Sequence, residues 1–162
     1  LDQTPCMLMI RSMIPQDATH VSNISQKIIS PKNSKLEDLI QGSQILLGSN
    51  IAENLEICLD DEIFILCPKE SSLNLCMTFS HHIATVAGIF KTGIEDLDNS
   101  MLFCHQDFFD QIFSNHPIDQ LHIKLKNLKH EQKALQTLKT IFKEDIYSWK
   151  DLYPTLLSCV LV

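Results

Sequence analysis

The chain has 162 residues, a hydrophobic fraction of 44%, a charged fraction of 20% and a formal net charge of −7. These values are typical of one globular domain, and they disfavour an intrinsically disordered chain. No apolar run reaches the roughly 18 residues that a bilayer-spanning helix needs. The sequence starts without Met or a signal-peptide pattern and stops inside an apolar run. We therefore expect a fragment of a longer protein.

The charge is divided unevenly along the chain. Residues 51–113 carry eleven carboxylates against two lysines, whereas residues 114–162 carry seven lysines against five carboxylates. An acidic surface attracts basic partners. We therefore take the acidic residues of the middle segment as candidates for binding a basic protein, namely Glu53, Glu56, Asp60 and Asp61. The lysines have little aromatic interleaving, so nucleic acid is not expected as the main ligand.

The first 34 residues predict an irregular arm. Pro5, Pro15 and Pro31 interrupt any long helix there, and serine, threonine and asparagine are frequent between them. We expect residues 1–34 to dock on an α-helical domain formed by residues 35–162.

Helical spacing of apolar residues dominates the next segment. Leucine and isoleucine positions predict a helix over residues 35–47, which Gly48 ends. Asn50 and Glu53 have the spacing of a capping box, in which each side chain bonds to the other's backbone N–H. This spacing predicts a second helix that runs as far as Pro68.

Two segments bear on the choice between helix and sheet. Residues 54–67 also fit short strands, NLEICL and EIFILC, joined by Asp60 and Asp61, because leucine and isoleucine alternate with polar residues in places, and this alternative stays open. Residues 71–90 favour a helix, because His81 and His82 fall on a polar arc of the helical wheel, opposite Phe79 and other apolar residues. A strand would place the two adjacent histidines on opposite faces.

The remaining segments also show helical spacing. Apolar residues predict a helix over residues 98–113, with Phe103 projecting from its polar side. Residues 117–142 predict one kinked helix or two successive helices. Ser148 and Asp151 have capping-box spacing ahead of a last helix.

The sequence predicts no catalytic or metal site. Structural zinc generally uses pairs such as C-x2-4-C, and the six cysteines form no such pair. A nucleophilic site would need Cys104 beside a base such as His81 or His122, and no spacing singles out that combination. Four glycines form no phosphate-binding loop. We therefore predict no enzymatic activity, no metal and no cofactor.

These patterns together predict an all-α fold of stacked antiparallel helices, either a HEAT or armadillo-like array or an irregular helical bundle, with the N-terminal irregular arm. Such helical faces hold peptides and helices. The predicted function is a non-catalytic protein–protein interaction module of a larger intracellular scaffold, in the cytoplasm or nucleus and without membrane contact. Phe103 and Trp149 are candidate apolar anchors for the partner.

Two other functions stay open. A secreted, disulfide-containing helical-bundle signalling protein is favoured by the six cysteines and by the sequon at Asn23. The cysteines have apolar neighbours, where free cysteine behaves as a small hydrophobe, so we favour a reducing compartment. A cysteine-dependent or metal-dependent enzyme is the third hypothesis.

Overall fold

A computed structural model describes residues 5–69, 78–113, 121–143 and 145–152. The chain divides into two compact units, Leu1–His122 and Ile123–Val162. The first unit is built on a mixed β-sheet, so the prediction of an all-α fold, whether helical repeat or bundle, is wrong.

The sheet has six strands within the described residues. They are β1 (Met9–Met13), β2 (Ile28–Ser30), β3 (Gln44–Gly48), β4 (Glu62–Lys69), β5 (Thr78–Phe90) and β6 (Met101–His105). Their order is β1-β6-β3-β5-β2, and β4 also pairs with β5. The β1–β6 and β3–β5 pairs are parallel, whereas β3–β6, β2–β5 and β4–β5 are antiparallel.

Short helices connect the strands. In the first unit they are α1 (Pro15–Val21), α2 (Leu36–Leu39), α3 (Ser49–Asn54), α4 (Glu95–Ser100) and α5 (Gln106–Ile112). A single 3-10 turn (Ile24–Lys27) precedes β2. The second unit has a 3-10 turn (Leu128–His130), α6 (Glu131–Ile141) and α7 (Trp149–Leu152) among its described residues.

A hydrophobic core lies on each face of the sheet. Successive residues of β3 enter opposite cores, as the alternation of side chains along a strand requires. The first core contains Ile45, Leu47, Ala84, Val86, Leu102 and Cys104 from the strands, with Ile51, Phe108 and Ile112 from α3 and α5. The second contains Leu46, Phe90, Met101 and Phe103, with Leu36 and Leu39 from α2.

The predicted helices are wrong for residues 78–90 and 101–105, which form β5 and β6, whereas Gln106–Ile112 is helical as predicted and residues 71–77 lie outside the described residues. Coverage on both faces explains the error for β6 and for the second half of β5. A strand with apolar residues on both faces has no polar alternation, so periodicity does not distinguish it from a helix. In β5 the register also shifts, because Ile45 pairs with Val86 while Leu46 pairs with Gly88. Because of the extra residue in this β-bulge, apolar residues that would otherwise be two positions apart on one face are three positions apart. A spacing of three is typical of a helix.

Gly42 explains why the helix predicted over residues 35–47 is also wrong. α2 ends at Leu39, and Gly42 adopts a φ of +55°, a left-handed conformation that glycine accepts readily. The chain turns there and continues as β3. The second predicted helix is likewise cut short to α3. The alternative interpretation of EIFILC as a strand is confirmed, since these residues lie in β4.

The predicted irregular arm supplies two strands of the sheet. β1 pairs with β6 along its whole length, and β2 pairs with the end of β5. Pro15 begins α1, where its missing N–H would have no helical partner in any case. Pro15 therefore begins a helix, whereas the sequence predicts that it interrupts one.

The second unit confirms part of its predicted helical content. α6 lies inside the predicted helical range 117–142. The N–H of Ser148 donates to Asp151 Oδ2 over 2.8 Å, and the N–H of Lys150 donates to Ser148 Oγ over 3.1 Å. The predicted capping interaction is therefore confirmed for the Asp151 side chain, whereas the Ser148 hydroxyl accepts from Lys150 and not from Asp151. Pro117 and residues 153–162 lie outside the described residues.

Asp98 fixes the connection between β5 and α4. The residue is only 2% exposed. Its carboxylate accepts hydrogen bonds from the N–H and hydroxyl of Thr92, over 2.8 and 2.7 Å, and from the N–H of Gly93 over 3.0 Å. Burial acts to raise the pKa of Asp98, but these donors and Lys91 together hold it below its ordinary value. The carboxylate is therefore the form that the fold stabilises.

Candidate interaction surface

β4 and the first part of β5 form an antiparallel ribbon, paired from Glu62 with Thr85 to Lys69 with Thr78. Successive side chains point to opposite faces of such a ribbon. The inner face carries Ile65 and Cys67, which are buried in the first core.

The outer face of the ribbon is apolar and exposed. Phe64, Leu66, Phe79 and Ile83 are 57%, 62%, 57% and 48% exposed, respectively. Phe64 lies directly opposite Ile83, and Leu66 lies opposite His81. Contiguous exposed apolar side chains of this kind mark interaction sites in many proteins. We call these four side chains the outer face.

Two of the acidic residues proposed from the sequence lie at one end of the ribbon. Glu53 is on α3, and Glu56, Asp60 and Asp61 are in the connection from α3 to β4; all four are exposed. The Asp61 carboxylate accepts a hydrogen bond from the N–H of Cys58 over 2.7 Å, which fixes the turn. Glu62 continues the acidic run onto the same side of the ribbon as Phe64. Asp60, Asp61 and Glu62 therefore lie at the end of the ribbon, whereas Glu53 is on α3, which packs through Ile51 against the inner face of the ribbon.

The two aromatic candidates are placed differently. Phe103 is 9% exposed and packs edge-on against Phe90, with ring centroids 5.1 Å apart, so it belongs to the second core. Trp149 begins α7, and its side chain lies outside the part of the chain that the structure describes. A role for either residue as a partner anchor stays a prediction.

Sequence reasoning missed the outer face. The available signal was the alternation of Phe64 and Leu66 with Ile65 and Cys67. Both sets are apolar, so the sequence does not say which set is covered. The exposure of Phe64 is decided by the layers that pack on the sheet.

The cysteines considered for catalysis are poor nucleophiles in this structure. Burial, with the nearby charge of Asp110, raises the pKa of Cys104 to about 12. Burial also raises the pKa of Cys67. The thiolate is the reactive form of cysteine, so both thiols are inert at neutral pH.

The histidine considered as a base is paired with a cation. Arg11 Nη2 donates to His122 Nε2 over 2.6 Å. Burial lowers the pKa of His122, and the charge of Arg11 lowers it further. Within residues 5–69, 78–113, 121–143 and 145–152, no three His, Cys, Asp or Glu side chains are grouped in a way that could hold a metal ion.

A polar cleft of about 420 Å³ lies elsewhere in the first unit. Glu37, Asp38 and Asp107 contribute its carboxylates, and His105 lies beside them. His105 Nδ1 accepts a hydrogen bond from the N–H of Asp107 over 3.2 Å, which caps α5. The imidazole thus already has a structural role at the start of this helix.

Comparison with known proteins gives one partial similarity. The chain matches no protein-family model. Over 97 residues it is 28% identical to the lipoprotein-releasing system transmembrane protein LolC of Neisseria meningitidis serogroup B, and the match covers 59% of this chain and 23% of that protein. None of the helices in the described ranges is long and apolar enough to cross a membrane. The chain is therefore similar to less than a quarter of a transmembrane protein's length.

Proposed function

We propose that the chain is a non-catalytic protein-interaction domain of a larger, membrane-associated protein, and that the outer face of the ribbon binds a partner polypeptide. The exposure of the outer face is the observation that supports this most directly. Removing apolar side chains from water contributes about 25 cal/mol per Å² of apolar surface, which is partly offset by the entropy lost on association. Aromatic residues such as Phe64 and Phe79 are frequent anchors in protein interfaces.

The charges near the outer face favour a polypeptide over a lipid surface. Asp60, Asp61 and Glu62 are exposed at one end of the ribbon. Anionic lipids would be repelled by these carboxylates, because like charges raise the free energy of association. A protein segment with basic residues would be attracted.

The membrane association rests on the similarity to LolC. That protein is described as a transmembrane component of a lipoprotein-releasing system, and we propose that this chain also belongs to a parent protein with a membrane part. The location inside the cell and the absence of membrane contact, both expected from the sequence, stay predictions, as does the absence of catalysis.

Photocrosslinking in the native host tests the proposal. A photoreactive amino acid at Phe64 or at Leu66 of the full-length parent protein is expected to give adducts with the same polypeptide. The control is Glu95, which is exposed on α4 away from the ribbon. Adducts with lipid only, or equal adducts from all three positions, would contradict the proposal.

Thiol reactivity separates this function from the secreted alternative. In the native chain we expect the exposed Cys6 and Cys58 to react quickly with a thiol reagent, and the buried Cys67 and Cys104 to react only on unfolding. Six free thiols under denaturing, non-reducing conditions would exclude the secreted, disulfide-containing protein. Two or three disulfides would instead exclude a reducing compartment.

A further inference from the structure

One edge of β5 has no strand beside it in the described part of the chain. β5 runs from Thr78 to Phe90, but β3 pairs only with its second half, from Thr85 onward. Residues 79–83 are therefore left with β4 on one side only, and we call their other side the open edge.

The hydrogen bonds at the end of the ribbon show which backbone groups face the open edge. The N–H of Val86 donates to the Asp61 carbonyl and the Val86 carbonyl accepts from the N–H of Asp60, both over 2.9 Å, so Val86 faces the β4 side. The N–H of Thr85 instead donates to the Ser43 carbonyl over 3.1 Å, on the β3 side. Backbone groups alternate in direction along a strand. The N–H and C=O groups of residues 79, 81 and 83 therefore point to the open edge.

The free edge of β4 is less suited to pairing. By the same alternation, residues 62, 64, 66 and 68 face that edge. Pro68 has no N–H to donate, and proline and charged side chains such as Glu62 are features that protect sheet edges from further pairing. Residues 79–83, with the sequence FSHHI, carry no such protection.

We propose that an extended segment of the partner polypeptide adds to the open edge as a further strand. This inference rests on the proposed function and specifies the conformation in which the partner binds. Backbone hydrogen bonds supply affinity in strand addition, and alternate side chains supply specificity. The alternate apolar side chains of the added strand extend the outer face beside Phe79 and Ile83.

Charge complementarity sets the composition of the added strand. Residues 1–122 carry sixteen carboxylates against six lysine and arginine residues, a net charge of −10. Asp60, Asp61 and Glu62 concentrate part of this charge at the end of the ribbon where β3 begins. The added strand of the partner therefore carries basic residues at the end that lies nearest to these carboxylates. A second copy of the first unit would meet like charge there.

Two synthetic peptides and two matched variants test strand addition by NMR titration of the isotope-labelled chain. The first peptide alternates valine and threonine and ends in two arginines; its twin ends in two glutamates. The variant His81→Pro removes an N–H that faces the open edge. Its control, His81→Ala, changes the same side chain but keeps the backbone N–H. Neither substitution removes a donor from the β4–β5 ladder.

The arginine peptide is expected to shift the amide signals of Phe79, His81 and Ile83 and to bind at least about fivefold more tightly than the glutamate twin. His81→Pro is expected to weaken binding about fivefold, the effect of one backbone hydrogen bond, while His81→Ala leaves it within about twofold. If His81→Pro does not fold, the amide shifts in the unsubstituted chain decide the test.

Equal loss in both variants, shifts confined to the amides of β4, or no binding by either peptide would overturn strand addition. Equal affinity of the two peptides would overturn the charge assignment. If Phe64 gives crosslinks but neither peptide binds, the outer face is still an interaction site, and only the proposal that the partner adds as a strand is wrong. Failure of the crosslinks would remove the proposed function itself.

Discussion

Gly48→Val is expected to lower the free energy of unfolding of the first unit by about 3 kcal/mol, the upper range for overpacking a filled site. Gly48 ends β3 against the backbone of Asp98, and a Cβ at this position would overlap the Asp98 carbonyl oxygen. That backbone is not free to move away, because the Asp98 carboxylate is bonded to Thr92 and Gly93. Chemical denaturation followed by circular dichroism measures the change.

Gly42→Ala is the matched control for Gly48. No atom lies within 4 Å of a Cβ built at Gly42, although its φ is +55°. The substitution therefore carries only the conformational cost of a left-handed residue, about 1 kcal/mol. Equal destabilisation by the two substitutions would show that close packing at Gly48 is not the cause.

Asp98→Ala is expected to cost about 3 kcal/mol, because it removes a charged acceptor and leaves buried donors without a partner. The N–H groups of Thr92 and Gly93 both donate to this carboxylate. Asp96→Ala, on the exposed side of the same helix, is the control and should change stability by no more than about 0.5 kcal/mol. The same denaturation experiment compares the two variants.

The effect of Asp98→Ala should also depend on pH. The pKa of Asp98 is lower in the folded chain than its ordinary value, so its contribution is fully present above the pKa of the unfolded chain and is lost as the pH falls through the folded pKa. The stability difference between the wild-type chain and Asp98→Ala is therefore largest near neutral pH and shrinks below about pH 4. A difference that stays constant down to pH 3 would contradict this assignment.

The sequence supported predictions that depend on local chemistry. The pairing of Ser148 with Asp151 is such a case, because a capping interaction involves only neighbouring residues. The alternation in EIFILC also indicated β4 as an alternative. Asp60 and Asp61 could be singled out because charge is read directly from the sequence; they lie at the end of the ribbon, and their role in binding stays a prediction.

The fold class failed because it depends on long-range layers. β3, β6 and the second half of β5 are covered on both faces, so their apolar residues have no polar counterpart from which to read a period of two. The bulge between Val86 and Gly88 strengthened the false helical spacing. The outer face was missed for a related reason. Phe64 and Ile65 are adjacent and both apolar, and only the tertiary structure determines that Ile65 is buried and Phe64 is exposed.

The position of β1 has a consequence for how the first unit can be carried by a larger polypeptide. β1 lies at the end of the strand order, beside β6, and Arg11 on this strand contacts His122, the last residue of the unit. The first strand and the last residue of the unit thus lie side by side. Units with adjacent ends are readily accommodated as insertions, because the host needs only a small gap to hold them. We therefore expect the first unit to tolerate insertion into a surface loop of a host protein.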